Sequence, residues 1–331
     1  MTRPSLPRRR HLLGAVPALA LSAWGLPAAA QSWPDKPLKL AVGFPPGTGP
    51  DVVARLVGAK LAELLRQQVV VDNRAGAGGQ IATQSVAKSP PDGHGLLLGE
   101  VGSIAIAPPA FGKLPYDPAK ELVGISELVR SDFVLVVPTH APHASLGDFL
   151  KAAKARSGDR VNLATFGAGT PGHFGAEMLG EAAGFAVEPI HYRATGDAVT
   201  AIVAGDVAGA FVSTALAAAQ IKGGKMRALA TTAGSRSPLM PEVPTFAEAG
   251  LPKIDFSAWF VVFAPQGTPA AVLDLLNRQL VAAVQDPATR AKLQEAGFRV
   301  LGTSRADTEK MLKAEAQRWA AVVRATGFRG D

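Results

Sequence analysis

Short runs of Val, Leu and Ile alternate with helical patterns along almost the whole chain. The runs predicted to be strands are 38–42, 69–71, 96–98, 133–137, 161–165, 187–190, 207–212, 227–231 and 258–263. Continuous apolar runs flanked by helices are typical of parallel strands that are covered on both faces. The pattern therefore predicts an α/β fold, with mainly parallel sheets and helices on both faces.

Polar residues mark several helix starts. Thr268 and Asp286 each precede a proline, which predicts an N-cap followed by Pro at the first helical position. Ser145 and Asp148 have the spacing of a capping box. The last helix has an apolar stripe that predicts a side facing the core: Met311, Leu312, Ala316, Trp319 and Val323.

Two predicted strands end in a Gly/Pro-rich loop that opens directly into a helix. The first loop contains Phe44, Pro45, Gly47 and Thr48 and leads into a helical pattern at 52–66. The second contains Gly167, Ala168, Gly169, Thr170 and His173 and leads into a helical pattern at 174–183. The first backbone N–H groups of a helix lack intrahelical partners, and the helix dipole favours negative charge there. Two such loops predict half-sites that close on one small anion.

Single residues around these loops have more than one interpretation. Asp51 stands at the predicted helix start, where it is expected to be the N-cap. The hydroxyl groups of Thr48, Thr170 and Ser103 add donors near the two loops. The Phe44 ring packs either on an apolar part of a ligand or in the core, and the sequence does not separate these two alternatives.

The N-terminus has the pattern of an export signal. Arginines at positions 3, 8, 9 and 10 precede an apolar stretch at 12–26, and Ala28–Ala30 supply small residues for cleavage. The expected mature chain begins at Gln31 and is periplasmic. Export by a twin-arginine route and by the general secretory route are both compatible with this segment.

Composition excludes several classes of protein. Four of the 34 Lys and Arg residues and none of the 27 Asp and Glu residues lie in the signal, so the mature chain has a net charge of +3. Nucleic-acid binding would need a basic stripe with stacking aromatics, and neither is present. The chain has no cysteine, which excludes a disulfide, a thiol nucleophile and a lipid anchor on cysteine. No later apolar run has the roughly 18 residues that a membrane helix needs.

The sequence has no strong catalytic or metal-binding motif. A Gly-x-Ser-x-Gly elbow, a His-Glu-x-x-His pair and a P-loop are all missing. Gly167 to Gly172 does match Gly-x-Gly-x-x-Gly between a strand and a helix, as in dinucleotide-binding proteins. The acidic residue that should end the next strand is displaced, because Glu188 lies inside that strand. An oxidoreductase is therefore the alternative to a binding protein, and no cofactor or metal is expected in the binding protein.

Several motifs resemble those of the Bug family, the periplasmic solute-binding receptors of tripartite tricarboxylate transporters. They follow the family order over nearly the whole mature chain and include Trp33-Pro-Asp-Lys-Pro37, Phe44-Pro-Pro-Gly47, Val69-Val-Val-Asp-Asn73, Gly169-Thr-Pro-Gly-His173, Pro241-Glu-Val-Pro244 and Phe263-Ala-Pro265. The resemblance implies a two-lobed Venus-flytrap that grips a ligand carboxylate between two strand-loop-helix elements.

The resemblance also implies a site and partners. Ligand contacts are expected from Phe44, Pro45, Gly47, Thr48, Gly167, Ala168, Gly169, Thr170 and His173, with Ser103 and Tyr192 as further candidates. The expected partners are a small organic carboxylate and the membrane permease subunits, or alternatively a signalling protein that uses the receptor as a sensor. The protein is expected to be a monomer. Pro-containing breaks at 138–142 and 252–255 place one lobe at 134–255, inserted into a lobe of 31–133 plus 256–331.

The chain departs from the family pattern at positions that set specificity. Val212 stands where the family often has Asp, and Ile104 and Ala107 stand where His and Asn are frequent. His191 and Arg193 replace the Pro and Lys of a Pro-Tyr-Lys-Gly stretch. These changes favour an aromatic or otherwise apolar monocarboxylate over a dicarboxylic or amino acid.

Overall fold

The computed structural model describes residues 33–156, 159–192 and 194–330, and the predicted export signal with its cleavage point lies outside them. The strands in this part of the chain are Leu38–Val42 (β1), Val69–Asn73 (β2), Gly95–Glu100 (β3), Leu122–Pro138 (β4), Val161–Thr165 (β5), Val187–His191 (β6), Gly209–Ser213 (β7), Met226–Thr231 (β8), Ser257–Pro265 (β9) and Arg299–Val300 (β10).

Helices follow most strands, as the sequence pattern predicts. They are Gly49–Leu65 (α1), Gln80–Ala87 (α2), Ala107–Ala110 (α3), Pro118–Glu121 (α4), Leu146–Ala155 (α5), Pro171–Ala183 (α6), Thr195–Ala204 (α7), Thr214–Lys222 (α8), Ala270–Gln285 (α9), Pro287–Glu295 (α10) and Arg305–Thr326 (α11). A 3₁₀ turn, Ala77–Gly79, and a π-helical segment, Gly102–Ile106, complete the helical parts. Within the described residues, no helix combines the length and apolar character needed to cross a membrane.

The strands form one sheet of two parts that share the long strand β4. The strand order is β2-β1-β3-β9-β4-β7-β5-β6, and β10 and β8 also pair with β4. Residues 122–132 of β4 pair with β9, and residues 133–136 pair with β7. We call β1, β2, β3, β9, β10 and residues 122–132 the first half-sheet. The second half-sheet comprises β5 to β8 and residues 133–138.

Strand pairing is mixed rather than mainly parallel. The parallel pairs are β1 with β2 and β3, and β5 with β6 and β7. The pairs of β4 with β7, β8, β9 and β10, and of β3 with β9, are antiparallel. The α/β class is confirmed. The antiparallel pairs arise because β9 lies between β3 and β4 in the first half-sheet, and β4 lies between β7 and β8 in the second.

The direction of the strands fixes where their loops lie. Since β9 is antiparallel to both β3 and β4, the first part of β4 runs parallel to β1 and β3. The second part of β4 is antiparallel to β7, and therefore to β5 and β6. The carboxyl ends of β1 and β3 thus point toward the middle of β4 from one side, and those of β5 and β7 point toward it from the other. That middle is Asp132 and Phe133, which pair with Ser257 and Ser213.

Helix starts confirm two predicted caps and correct two others. Asp286 is the N-cap of α10, and Ser145 and Asp148 form the predicted capping box of α5. The predicted N-cap Thr268 is wrong, because α9 begins one residue later with Pro269 in the cap position. Asp51 is not an N-cap either. Helix α1 begins at Gly49, which places Thr48 at the N-cap and Asp51 in the first turn.

The last helix confirms the predicted stripe except at Ala316, since Met311 and Leu312 also pack against the core. Trp319 and Val323 are buried, but Ala316 is exposed and the buried position one residue earlier is Glu315. Glu315 Oε2 accepts hydrogen bonds from the indole N–H groups of Trp259 (2.9 Å) and Trp319 (3.0 Å). A carboxylate replaces an apolar side chain here because two buried donors need an acceptor.

Candidate functional site

The first predicted loop lies between β1 and α1 at the edge of the first half-sheet. Phe44 is half-buried, Pro45 is exposed, and Gly47 has a φ of +80°, a conformation that favours glycine. The Thr48 hydroxyl donates to the carbonyl of Pro45 at 2.7 Å, so it closes the turn rather than caps α1. The loop is therefore held in shape by its own hydrogen bonds.

The Asp51 carboxylate holds this loop by hydrogen bonds. Its carboxylate accepts hydrogen bonds from Gly47 N–H (2.9 Å), Arg55 Nε (2.9 Å) and Asn73 Nδ2 (2.9 Å), and Asn73 also donates to the carbonyl of Phe44. Asp51 is only 3% exposed. Burial by itself would raise the pKa of Asp51, but the hydrogen bonds from Arg55, Gly47 and Asn73 hold that pKa below its usual value. The Gly47 amide, expected to face a ligand, is engaged by an internal carboxylate.

Ser103 lies beside the Phe44 ring. A Cβ added at Gly79 would lie 3.5 Å from Ser103 Oγ and 3.6 Å from Phe44 Cε2, so both groups border the same glycine. Ser103 is buried, its hydroxyl accepts from Thr83 at 3.0 Å, and its carbonyl accepts from the Tyr116 hydroxyl at 2.7 Å. The structure thus brings Phe44 and Ser103 together as one wall.

Glu100, which the sequence reasoning did not select, forms the end of β3 at this wall. It is 9% exposed, and its Oε1 accepts from the Ser103 N–H at 3.3 Å. Burial raises the pKa of Glu100 to about 7, although hydrogen bonds from the Gly102 and Ser103 amides oppose the shift. A carboxyl group that changes charge near neutral pH therefore lies next to the predicted site.

The second loop, between β5 and α6, is built around Thr170. Thr170 is the N-cap of α6: its hydroxyl donates to the carbonyl of Gly167 at 2.8 Å and accepts from His173 N–H at 3.4 Å. Gly169 has a φ of +73°, and its amide donates to His173 Nδ1 at 3.2 Å. Ala168 at the tip is exposed. The structure therefore joins these loop residues in one hydrogen-bonded turn.

Two histidines meet behind this turn. The rings of His173 and His191 are edge-on, with centroids 4.8 Å apart, and Thr165 Oγ1 is 2.6 Å from His191 Nδ1. Burial, followed by the neighbouring His191, lowers the pKa of His173 to about 4, so His173 is neutral at physiological pH. Tyr192 is half-buried, and its amide donates to the carbonyl of Thr165.

Phe328 connects the second loop to the first half-sheet. It follows α11, its ring lies edge-on to His173 with centroids 5.1 Å apart, and it lies 3.4 Å from the place of a Cβ on Gly169. The residues after it are fixed by a hydrogen bond from Gly330 N–H to the carbonyl of Ala110 at 2.8 Å. The sequence analysis missed this contact because Phe328 is distant in sequence from both loops.

The described contacts therefore form two clusters that belong to different half-sheets. One contains Phe44, Pro45, Gly47, Thr48 and Ser103, and the other contains Gly167, Ala168, Gly169, Thr170, His173 and Tyr192. Both lie at carboxyl ends of strands that point toward the middle of β4. Two surface grooves are lined by residues other than those of the loops: one of about 590 Å³ lies between α6 and α11, and one of about 580 Å³ lies beside α10 and Asp132, at the middle of β4.

The position of Glu188 does not suit dinucleotide binding. Glu188 lies near the amino end of β6, where its carboxylate pairs with Arg160 at 2.5 Å. The Gly167–Gly172 loop lies at the carboxyl end of the neighbouring strand β5. A ribose-binding carboxylate would have to lie at the same end as the glycine loop. Within the described residues, no group of three His, Asp or Glu side chains has a metal-binding arrangement.

Comparison with known proteins gives consistent matches over nearly the whole chain. Residues 53–328 match the family model described as the tripartite tricarboxylate transporter family receptor. The protein BugT of Bordetella pertussis is 36% identical over 310 residues, which cover 93% of this chain and 95% of BugT.

Solved structures match as well. A Rhodopseudomonas palustris protein solved with adipate is 30% identical, with a TM-score of 0.80 over 90% of this chain and 99% of that one. The periplasmic binding protein BugD is 29% identical, with a TM-score of 0.77 over 90% of this chain and 99% of BugD.

Proposed function

This chain belongs to the tripartite tricarboxylate transporter receptor family, and from that premise we propose that it captures a small organic carboxylate in the periplasm. It then delivers the ligand to the membrane permease of a tripartite tricarboxylate-type transporter. The adipate found in the R. palustris structure supports a carboxylate as the ligand.

The observation that carries this proposal is the placement of the two loops. Each loop follows a parallel strand. The two strands belong to different half-sheets, and their carboxyl ends point toward the same part of β4. In open α/β sheets, ligands bind outside the carboxyl ends of the strands. A ligand between the loops is contacted by Phe44 on one side and by Thr170 and His173 on the other.

The two half-sheets are proposed to act as lobes. One lobe contains residues 134–255 and the other contains 31–133 and 256–331, with β4 and the segment before β9 as the connections. Backbone changes at a few connecting residues are sufficient for hinge closure around a ligand. Closure buries the carboxylate against amide and hydroxyl donors, while His173 remains neutral.

The protein is proposed to bind its ligand without transforming it. The position of Glu188 argues against an oxidoreductase, because this carboxylate lies near the amino end of β6 and the glycine loop lies at the opposite end of the sheet. The monomeric state and the permease partner remain part of the proposal.

A thermal-shift screen tests this function. Carboxylates of increasing chain length and aromatic acids are compared with their uncharged amides, and NAD and NADP form a separate arm. We expect a rise in Tm with at least one acid and no rise with its amide, since binding to the folded state stabilises it by mass action. A rise with the dinucleotides alone would support the oxidoreductase, and a flat response to every acid would contradict the receptor.

Thr170→Val should weaken both the fold and the binding of a carboxylate. Valine keeps the shape but removes the N-cap of α6, so the free energy of unfolding is expected to fall by about 0.5–2 kcal/mol. Affinity for an acid found in the screen is expected to fall by about 0.5–1.5 kcal/mol. Urea denaturation and calorimetric titration measure the two effects.

Thr170→Ser is the matched control, because serine keeps the hydroxyl group and caps helices as well as threonine does. It should restore most of the stability and of the affinity. If the valine variant binds every acid as the unmodified protein does, the ligand lies away from this loop.

A further inference from the structure

Internal groups occupy the amides at three strand ends around the proposed site. After β1, the Gly47 amide donates to Asp51; after β3, the Ser103 amide donates to Glu100. After β5, the Gly169 amide donates to the neutral imidazole of His173. Of these three amides, those of Gly47 and Ser103 donate to carboxylates, and that of Gly169 donates to a group without charge.

The negative charges of Asp51 and Glu100 are balanced by different groups. Asp51 forms an ion pair with Arg55 at 2.9 Å. Glu100 has no ion-pair partner among the described residues, and the amides of Gly102 and Ser103 provide its hydrogen bonds. When Glu100 is ionised, its negative charge is therefore offset only by backbone dipoles.

Glu100 lies close to the first-loop side of the site. Val42 of β1 pairs with Leu98 of β3, so Phe44 and Glu100 each lie two residues beyond a paired position. Ser103, whose amide binds Glu100, borders the same glycine, Gly79, as the Phe44 ring. The Glu100 carboxylate therefore contacts Ser103, which borders the same glycine as the Phe44 ring.

We propose, on the basis of the function proposed above, that Glu100 is a specificity-determining residue that excludes a second carboxylate from the first-loop side of the site. The ligand carboxylate binds at the second loop, and the remainder of the ligand lies against Phe44. A monocarboxylate places an apolar end there. A dicarboxylate of the same length places a negative charge near Glu100, and like charges repel strongly where water is excluded.

If Glu100 has this role, the preference for monocarboxylates over dicarboxylates depends on pH. The groups facing Glu100 are the amides of Gly102 and Ser103 and the phenol of Tyr116, whose pKa is raised by burial and then by the Glu100 charge. The raised pKa of Glu100 means that it is ionised at pH 8 and largely protonated at pH 6. Repulsion of a dicarboxylate should therefore be strong at pH 8 and weak at pH 6.

The experiment compares matched acids by calorimetric titration at pH 8 and pH 6. The pairs are hexanoate with adipate, and benzoate with terephthalate. At pH 8 we expect the monocarboxylate of a pair to bind on the order of tenfold more tightly than its dicarboxylate. Glu100→Gln keeps the shape and the acceptor oxygen for the two amides, and it should strengthen dicarboxylate binding without weakening monocarboxylate binding. Its preference should also be the same at both pH values.

Glu188→Gln is the matched control, since Glu188 is a partly exposed carboxylate near the amino end of β6, where it pairs with Arg160. It should keep the preference of the unmodified protein. If Glu100→Gln keeps the preference for monocarboxylates, or loses affinity equally for both acids of a pair, the proposed role of Glu100 is wrong. Carboxylate binding by the unmodified protein would still support the receptor function in that case. If no carboxylate binds to the unmodified protein or the variant, the proposed function fails and this inference fails with it. If Glu100→Gln does not fold, the unmodified protein still tests the role of Glu100. A preference for monocarboxylates that is as strong at pH 6 as at pH 8 would contradict that role.

Discussion

Glu315→Ala is expected to lower the free energy of unfolding by about 2–5 kcal/mol, because each buried donor that loses its partner costs about 1–3 kcal/mol. Glu315 Oε2 accepts from both Trp259 and Trp319, and both indole rings are fully buried. Alanine leaves two N–H groups without an acceptor and opens a cavity between them. Denaturation in urea, followed by tryptophan fluorescence, measures the loss and reports on the affected side chains.

Glu315→Gln provides the control. Its amide oxygen can accept from both indoles, so the loss should be well below that of the alanine variant. The effect should also reach the site, because Glu315 fixes α11 to β9 and Phe328 follows α11. Equal stability of the alanine variant and the unmodified protein would show that the indole groups find another acceptor.

The apolar runs predicted the strands well where each strand is covered on both faces. The predicted runs 38–42 and 161–165 coincide with β1 and β5. The first part of β4 was missed, because it contains Ser126, Glu127 and Arg130. The Ser126 hydroxyl donates to the Thr303 carbonyl, and Glu127 and Arg130 form an ion pair. Thr303 is distant in sequence, so the local pattern cannot show that these polar residues belong to a strand.

The sequence predicted those parts of the candidate site whose residues are close to one another along the chain. Thr170 and His173 are close in sequence, and the Gly-rich loop between strand and helix identified them. Phe328 was not predictable, because its contact with His173 depends on the packing of α11. Glu100 did have a local signal in the sequence: an acidic residue ends an apolar strand two residues before Gly102. Family motifs identified the residues of the loops but not how their amides are paired.

Asp51→Ala is expected to have the largest effect on the binding site itself. Hydrogen bonds to a charged group contribute about 1.5–3 kcal/mol each, and Asp51 accepts from Gly47, Arg55 and Asn73. We expect the free energy of unfolding to fall by about 2–4 kcal/mol, because part of this loss is recovered by water at the loop. Affinity for a carboxylate found in the screen should fall more than tenfold, since Asn73 also holds the Phe44 carbonyl. Urea denaturation and titration of the ligand test both effects.

The matched control for this variant is Asp148→Ala. Asp148 occupies the first turn of α5 as Asp51 does in α1, but it is exposed and lies far from the loops in sequence. Its loss should lower stability by only about 1 kcal/mol and leave affinity unchanged. The pKa of Asp51 is lowered in the folded protein, so its contribution is present at neutral pH and is lost as the pH falls below the ordinary value of 3.8. The stability difference between Asp51→Ala and the unmodified protein should therefore shrink in acid, and a difference that stays constant to low pH would show that the Asp51 charge does not hold the loop.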